Sequence, residues 1–206
     1  MTRIAIADYG MGNLRSVEKA LEHVGAEPLL TSDPARIREA DAVVLPGVGA
    51  FPKAMERIRE LGLDGAIRER ADAGVPVLGI CLGLQLLFES STELGGATGL
   101  GLIPGPVDKL AAPGLKLPQI GWNEVEWRRE SALTEELPER TAMYHVHTYA
   151  PRPRDPGDVL GTATYGEEFV TAVERGNVAG VQFHPEKSGP AGLRLLAAFA
   201  RSRVAA

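Results

Sequence analysis

The sequence predicts an α/β fold: a mostly parallel central sheet flanked by helices, with an additional region of antiparallel or mixed strands in the C-terminal half. Three observations carry this. Through residue 89, short apolar runs alternate with segments of helical period. The runs at 41–47 and 75–80 are continuously apolar, as expected of parallel strands buried on both faces. From residue 118 onward, the chain turns to short, β-branched segments bounded by turn residues.

In order, "RIAIADY" (3–9) predicts a strand and "GMGN" (10–13) a turn. Leu14, Val17, Leu21 and Val24 share one face of a helix. "EPLLTS" is a second strand, after which Ser32 or Asp33 caps a short helix carrying Pro34 in its first turn. "DAVVLPG" (41–47) is the third strand, residues 51–61 and 63–73 are helical, and "VPVLGI" (75–80) is the fourth strand. Residues 82–89 predict a helix. The stretch 95–117 is rich in Gly and Pro. "QIGWNEVEW", "AMYHVHTYA", "VLGTATY", "FVTAVERG" and "VAGVQFHP" are strands, with "ERGNVAG" as a hairpin signal. An amphipathic helix from Gly192 to about Arg203 closes the chain, with Leu193, Leu196, Ala197 and Ala200 on one side.

A chain of 206 residues, 44% hydrophobic and 24% charged, suits one domain spanning 1–206 with a sizeable core. Net charge is −5 and no Lys/Arg-rich run is present, which argues against a nucleic-acid surface. The single cysteine excludes a disulfide framework and a multi-thiolate metal site. No metal or cofactor is expected. The N-terminal segment does not read as a signal peptide, and the longest apolar run, 75–88, is too short and glycine-broken to span a bilayer. The expectation is a soluble, cytoplasmic protein without a membrane partner.

That cysteine, Cys81, stands in "GICLG" between a predicted strand and a predicted helix. G-x-C-x-G has the form of a nucleophile elbow with Cys in place of Ser. The turn strains the backbone and exposes the side chain above the sheet. The helix beginning at Leu82 points its positive end at the sulfur, favouring the thiolate, and the Leu82 amide becomes an oxyanion donor. A small buried hydrophobe is the alternative reading of a lone cysteine.

A thiol nucleophile calls for an imidazole. His23 falls on the polar side of the first helix, and His145 and His147 share one face of a strand. His184 ends an apolar run and precedes Pro185 and Glu186. A residue before proline is biased to extended backbone, which would point His184 and Glu186 the same way, so the carboxylate can orient the imidazole. A simple capping role is the alternative. A third motif, "LPGVGAF" (45–51), follows a buried strand. It lacks the P-loop spacing, and "YGMGN" fails the dinucleotide fingerprint. The loop reads either as a plain turn or as a second wall of an oxyanion hole.

The order PGVG, GICLG, HPE resembles that of the class I, or triad, glutamine amidotransferases, over nearly the whole chain. "ADYGMGNLRSV", "PQIGWN" and "GVQFHPEKS" are similar to the glutaminase subunits of imidazole glycerol phosphate synthase. Two positions depart from the family pattern: Gln119 stands where His is more usual, and His145 where an aromatic residue is common.

The resemblance implies glutamine hydrolysis through a thioester, with Cys81 as nucleophile, His184 as proton carrier and Glu186 as its orienter. It implies oxyanion donors at Val48 or Gly49 and at Leu82. It implies a glutamine pocket lined by Gly49, Gln85, Glu93, His147, Thr148 and Tyr149. Gln85 lies one helical turn after Cys81, and Glu93 would meet the substrate ammonium. The implied partner is a cyclase subunit, a (β/α)8 barrel, in a heterodimer that receives ammonia for histidine biosynthesis. Tyr144 and "GMGN" would face it, and a flip of the Gly47-Val48-Gly49 peptide would switch the glutaminase on. The competing readings are the glutaminase of another synthase, a stand-alone cysteine hydrolase and a non-catalytic interaction module.

Overall fold

The computed structural model describes residues 1–202. Its elements are β1 (Arg3–Ala7), α1 (Leu14–His23), β2 (Glu27–Thr31), α2 (Pro34–Glu39), β3 (Ala42–Gly47), α3 (Phe51–Glu60), α4 (Leu63–Asp72), β4 (Val77–Cys81) and α5 (Leu82–Leu86). They continue with β5 (Phe88–Ser91), β6 (Ala97–Thr98), β7 (Ile103–Lys109), β8 (Gln119–Trp127), β9 (Arg140–His147), β10 (Tyr149–Pro151), β11 (Val159–Tyr165), β12 (Glu167–Arg175), β13 (Val178–Val181) and α6 (Gly189–Arg201).

Nine strands form one sheet in the order β2-β1-β3-β4-β13-β12-β11-β8-β9. The first five run parallel: β1 pairs with β2 and β3, and β4 with β3 and β13. From β12 outward the pairing is antiparallel. The inner parallel strands, β1, β3, β4 and β13, are buried on both faces, whereas the edge strand β2 is not. Ala5, Val43, Leu45 and Val77 pack with α2, α3 and α4 on one side. Ile4, Ile6, Val44, Leu78 and Ile80 pack with α1 and α6 on the other. The continuous apolar runs have this double burial as their cause.

Local chemistry accounts for the ends of several elements. Asp33 caps α2, its carboxylate accepting from the Ala35 amide at 2.9 Å. Gly176 (φ +59°) and Asn177 make the two-residue turn between β12 and β13, as the sequence predicts.

Three expectations need correction. Residues 82–89 are not one helix: α5 ends at Leu86 and β5 begins at Phe88. The Gly/Pro-rich stretch also holds strands, and β10-β7-β5-β6 form a second, four-stranded sheet. The Leu84–Phe88 apolar run fits either period, so periodicity could not find the switch. The last helix starts at Gly189 and ends at Arg201 within the described residues; its expected end near Arg203 lies outside them.

The glycines around Cys81 serve close packing. A Cβ on Gly79 would lie 2.7 Å from the backbone of Gly83 and Leu84, and one on Gly83 would overlap the Leu45 carbonyl oxygen. By contrast, a Cβ on Gly65 in α4 meets nothing within 4 Å. Gly83→Ala is therefore expected to cost about 2–3 kcal/mol, whereas Gly65→Ala should stabilise by about 0.5–1 kcal/mol. Urea denaturation midpoints of the two variants, read at unchanged m, check both signs.

Candidate active site

The parallel register of three adjacent strands assembles the site. Gly47 at the end of β3 is level with Cys81 at the end of β4, and Val181 of β13 is level with Ile80. Three residues beyond Val181 stands His184. Two segments far apart in sequence thus emerge side by side at the carboxyl edge of the sheet, where open α/β folds place their sites.

Cys81 adopts φ 56° and ψ −110°. Positive φ in a residue with a Cβ costs about 1–3 kcal/mol and persists only where surrounding structure enforces it. Here Gly79 and Gly83 permit the tight strand-to-helix turn. Cys81 is 6% exposed. Its Sγ lies 3.7 Å from the Val146 carbonyl oxygen and 3.7 Å from Gln182 Nε2. The helix that follows has only five residues. It brings first-turn amides near the sulfur rather than the field of a long dipole, which tempers the expected helix effect.

His184 is 3% exposed and its Nδ1–H donates to Glu186 Oε1 at 2.9 Å. The contact matches the expectation but not its reason. His184 is extended (φ −102°, ψ 95°), while residues Pro185–Lys187 form a 3-10 turn that curls Glu186 back to the ring. Burial pulls the imidazole down, but hydrogen bonds with Cys81 and Glu186, together with their charges, outweigh it and raise His184 to about 9. The turn is held in place by Ser188, whose Oγ–H donates to the His184 carbonyl (2.7 Å) and whose Oγ accepts from the Tyr144 amide (3.0 Å). The His184 amide donates to the Tyr144 carbonyl at 2.9 Å.

The other buried histidines behave oppositely. Desolvation first, then the neighbouring imidazoles, lower His145 to about 3; desolvation, then His184, lowers His147 to about 4. Both stay neutral at physiological pH. His145 Nδ1–H donates to the Met143 carbonyl and its Nε2 accepts from Thr171 Oγ1–H at 2.7 Å. His147 Nδ1–H donates to the Tyr149 carbonyl at 2.9 Å.

A cavity of about 260 Å³ opens over the sulfur, lined by Val48, Gly49, Cys81, Leu82, Gln85, Glu93, His147, Thr148, Tyr149 and His184. Every sequence-predicted site residue thus lies on it except Glu186, which stands behind His184. Pro118, Val146 and Lys187 also line it and carried no local signal. Gln85 Nε2 donates to the Tyr149 carbonyl and to Gln182 Oε1, both at 3.1 Å. Both its N–H groups are engaged, so its Oε1 is the group left for a ligand. Glu93 reaches the pocket, yet its Oε2 already accepts from the Phe51 amide at 2.8 Å, at the N-terminus of α3.

The PGVG loop is fixed at its root. The Tyr9 hydroxyl donates to the Pro46 carbonyl at 2.7 Å, and burial raises the phenol. A Cβ on Gly47 would collide with that hydroxyl. Gly49 sits at φ +105°, where a Cβ would be 2.7 Å from Met11 Cε. Tyr9, Gln182 and Ser188 escaped the sequence reading although all three lie in the quoted motifs; only Gln182, a polar group embedded in an apolar strand run, offered a local signal. Among the described residues, no three His, Cys, Asp or Glu side chains cluster as metal ligands, and no helix is long and apolar enough to cross a membrane.

Comparison with known proteins agrees with this geometry. A model of the glutamine amidotransferase class-I family matches residues 5–202. The imidazole glycerol phosphate synthase subunit HisH of Moorella thermoacetica is 53% identical over 97% of this chain and 94% of its own, and that of Bacillus cereus 51% over 95% and 93%. The fold superposes on a crystal structure titled as a glutamine amidotransferase with a TM-score of 0.75, covering 97% of this chain and 99% of that one at 21% identity. This chain belongs to the class-I glutamine amidotransferases and, within them, to the family of the imidazole glycerol phosphate synthase subunit HisH.

Proposed function

We propose that this chain is the glutaminase of an imidazole glycerol phosphate synthase, acting as a single amidotransferase domain in the cytoplasm. The observation that carries the reading is that Cys81 and His184 both line one amino-acid-sized cavity, with Glu186 bonded to the far edge of the His184 ring. Its volume lies below the ~300–1,000 Å³ range of pockets for larger ligands, which favours free glutamine over a peptide.

In this reading, Cys81 sulfur attacks the side-chain amide carbon of glutamine. The Leu82 amide and that of Val48 or Gly49 hold the developing oxyanion. His184, raised to about 9, carries the proton that the departing nitrogen needs, and ammonia leaves. Water then attacks the thioester, His184 takes its proton, and glutamate and free Cys81 are regenerated. Gln85 Oε1 and Glu93 are the acceptors for the substrate ammonium, beside Thr148 and Tyr149. Ammonia passes to a cyclase partner of (β/α)8 form in a heterodimer, where it reacts with a phosphorylated ribulosyl aminoimidazole carboxamide to give imidazole glycerol phosphate and an aminoimidazole carboxamide ribotide.

The partner would approach over the exposed Trp122 and the Tyr144 ring packed edge-on against it, beside the "GMGN" turn. Met11 of that turn rests on Gly49. A partner that moves Met11 changes the room available to the Gly47-Val48-Gly49 peptide, which gives the switch a physical route.

Cys81→Ser should abolish glutamine hydrolysis, read as glutamate release in the presence of the cyclase and its nucleotide. The isolated wild-type chain should run about 10-fold or more slower than the complex, the scale of a typical coupling energy; equal rates would sink the switch but leave the triad standing. Because His184 must hold a proton for ammonia to leave, the alkaline limb of kcat/KM should fall near pH 9. Glu186→Gln removes one of the groups that raise His184, so that limb should move to lower pH, read from the complex's pH profile.

A further inference from the structure

All three glutamines of this chain are buried: Gln85 and Gln119 nearly so, and Gln182 completely. Gln182 follows β13, and its amide still pairs with the Thr171 carbonyl of β12 at 2.7 Å. The segment Gly180 to His184 therefore alternates, and Gln182 and His184 both face the nucleophile. Burying a primary amide with no exposure costs several kcal/mol relative to an apolar residue unless its donors and acceptor find partners. The partners of Gln182 are all in the active site: Nε2 donates toward Cys81 Sγ at 3.7 Å, and Oε1 accepts from Gln85 Nε2 at 3.1 Å.

We propose that Gln182 is a positioning residue for the glutaminase reaction: its side-chain amide is a fixed N–H donor to the Cys81 sulfur that favours the thiolate, and Gln85 holds the amide in that orientation. The inference rests on Cys81 being the nucleophile. Oriented the other way, the amide would turn an oxygen toward a developing anion and leave Gln85 Nε2 against a second donor. The Gln85 contact forbids this, since only Oε1 can accept there.

Gln182 also opposes the second contact of the sulfur. The thiol can donate its proton to the Val146 carbonyl, 3.7 Å away, but a thiolate facing that oxygen is repelled. An N–H donor has the reverse preference, because a hydrogen bond to an ionised acceptor is stronger than one to a neutral acceptor. The sulfur also faces the His184 imidazole, which hydrogen-bonds with it, and the buried Tyr9 phenol. Against the Val146 carbonyl, which prefers the thiol, Gln182 adds a neutral donor beside that imidazole and biases the sulfur to the reactive form before substrate arrives. Gln85 links the substrate pocket to this donor, so loss of Gln85 acts on the sulfur as well as on the ligand.

The test is the pH dependence of Cys81 alkylation by iodoacetamide in the full-length chain, which needs neither glutamine nor the partner. Gln182→Met fills the same space without a donor. It should move the acid limb up by about one pH unit and slow alkylation at neutral pH about 10-fold, the worth of one hydrogen bond to a charged group. Gln182→Glu, which keeps the shape and substitutes an acceptor, should move it further. It also serves as the second arm if the Met variant does not fold. Gln85→Met should give a smaller shift of the same sign. An unmoved limb in either folded Gln182 variant overturns the proposal. A wild-type chain whose Cys81 iodoacetamide cannot alkylate at all would instead undo the reading of Cys81 as nucleophile.

Discussion

The structure depends first on β4 being paired in parallel with β3 on one side and β13 on the other. Parallel ladders hold neighbouring strand ends level, and the side-chain period of two makes any slip costly where both faces are buried. The level ends are what bring Val48, Cys81 and His184 to one cavity. These segments are far apart in sequence, and the Gln182 contacts with Cys81 and Gln85 then tie them together. Gly79, Gly83 and Gly180 then let α5 lie against the strands closely enough that the turn at Cys81 can hold a positive φ: a Cβ on Gly180 would strike Leu84, as one on Gly79 would strike Gly83. Strain at Cys81 is thus sustained by the same sheet that locates it.

The second layer is electrostatic. Three imidazoles lie within one buried neighbourhood, and burial alone would discharge all of them. His145 and His147 follow that rule, since their partners are carbonyls and a hydroxyl. His184 departs from it because a carboxylate and a thiol face its two edges. Among the described residues, Oε1 of Glu186 bonds to His184 and Oε2 is buried without a partner. The thiol first, and the carboxylate second, decide which histidine can carry a proton. The neutral pair supports the pocket wall instead: His147 and Gln85 both donate to the Tyr149 carbonyl.

Much of this was legible from local punctuation. Glycines flanking Cys81, proline after His184 and glycines after β3 each mark a backbone that must turn sharply or be approached closely, and such constraints are written into neighbouring residues. The alternation of strands and helices followed from burial pattern alone. What escaped depended on tertiary partners. The switch from α5 to β5 hides in an apolar run that fits either period. The 3-10 turn at Glu186 gives the same contact as the extended chain that was expected, so contact and conformation were separable. Gln182, Ser188 and Tyr9 bond to groups distant in sequence, and no local spacing announces them.

The PGVG loop shows why two glycines a residue apart are not equivalent. Gly47 has no room for a side chain because the Tyr9 hydroxyl, bonded to the Pro46 carbonyl, fills that space. Its constraint is steric and rigid. Gly49 is held at positive φ beneath the Met11 side chain, a flexible thioether that can be displaced at little cost. The peptides around Val48 therefore have one anchored end and one end whose cover is soft and belongs to the turn after β1. On the far side, the Phe51 amide is tethered by Glu93, a residue of the pocket wall. Motion of this loop is confined to the few peptides between these two restraints, and a partner at Met11 and a ligand at Glu93 would act on opposite ends of the same short segment.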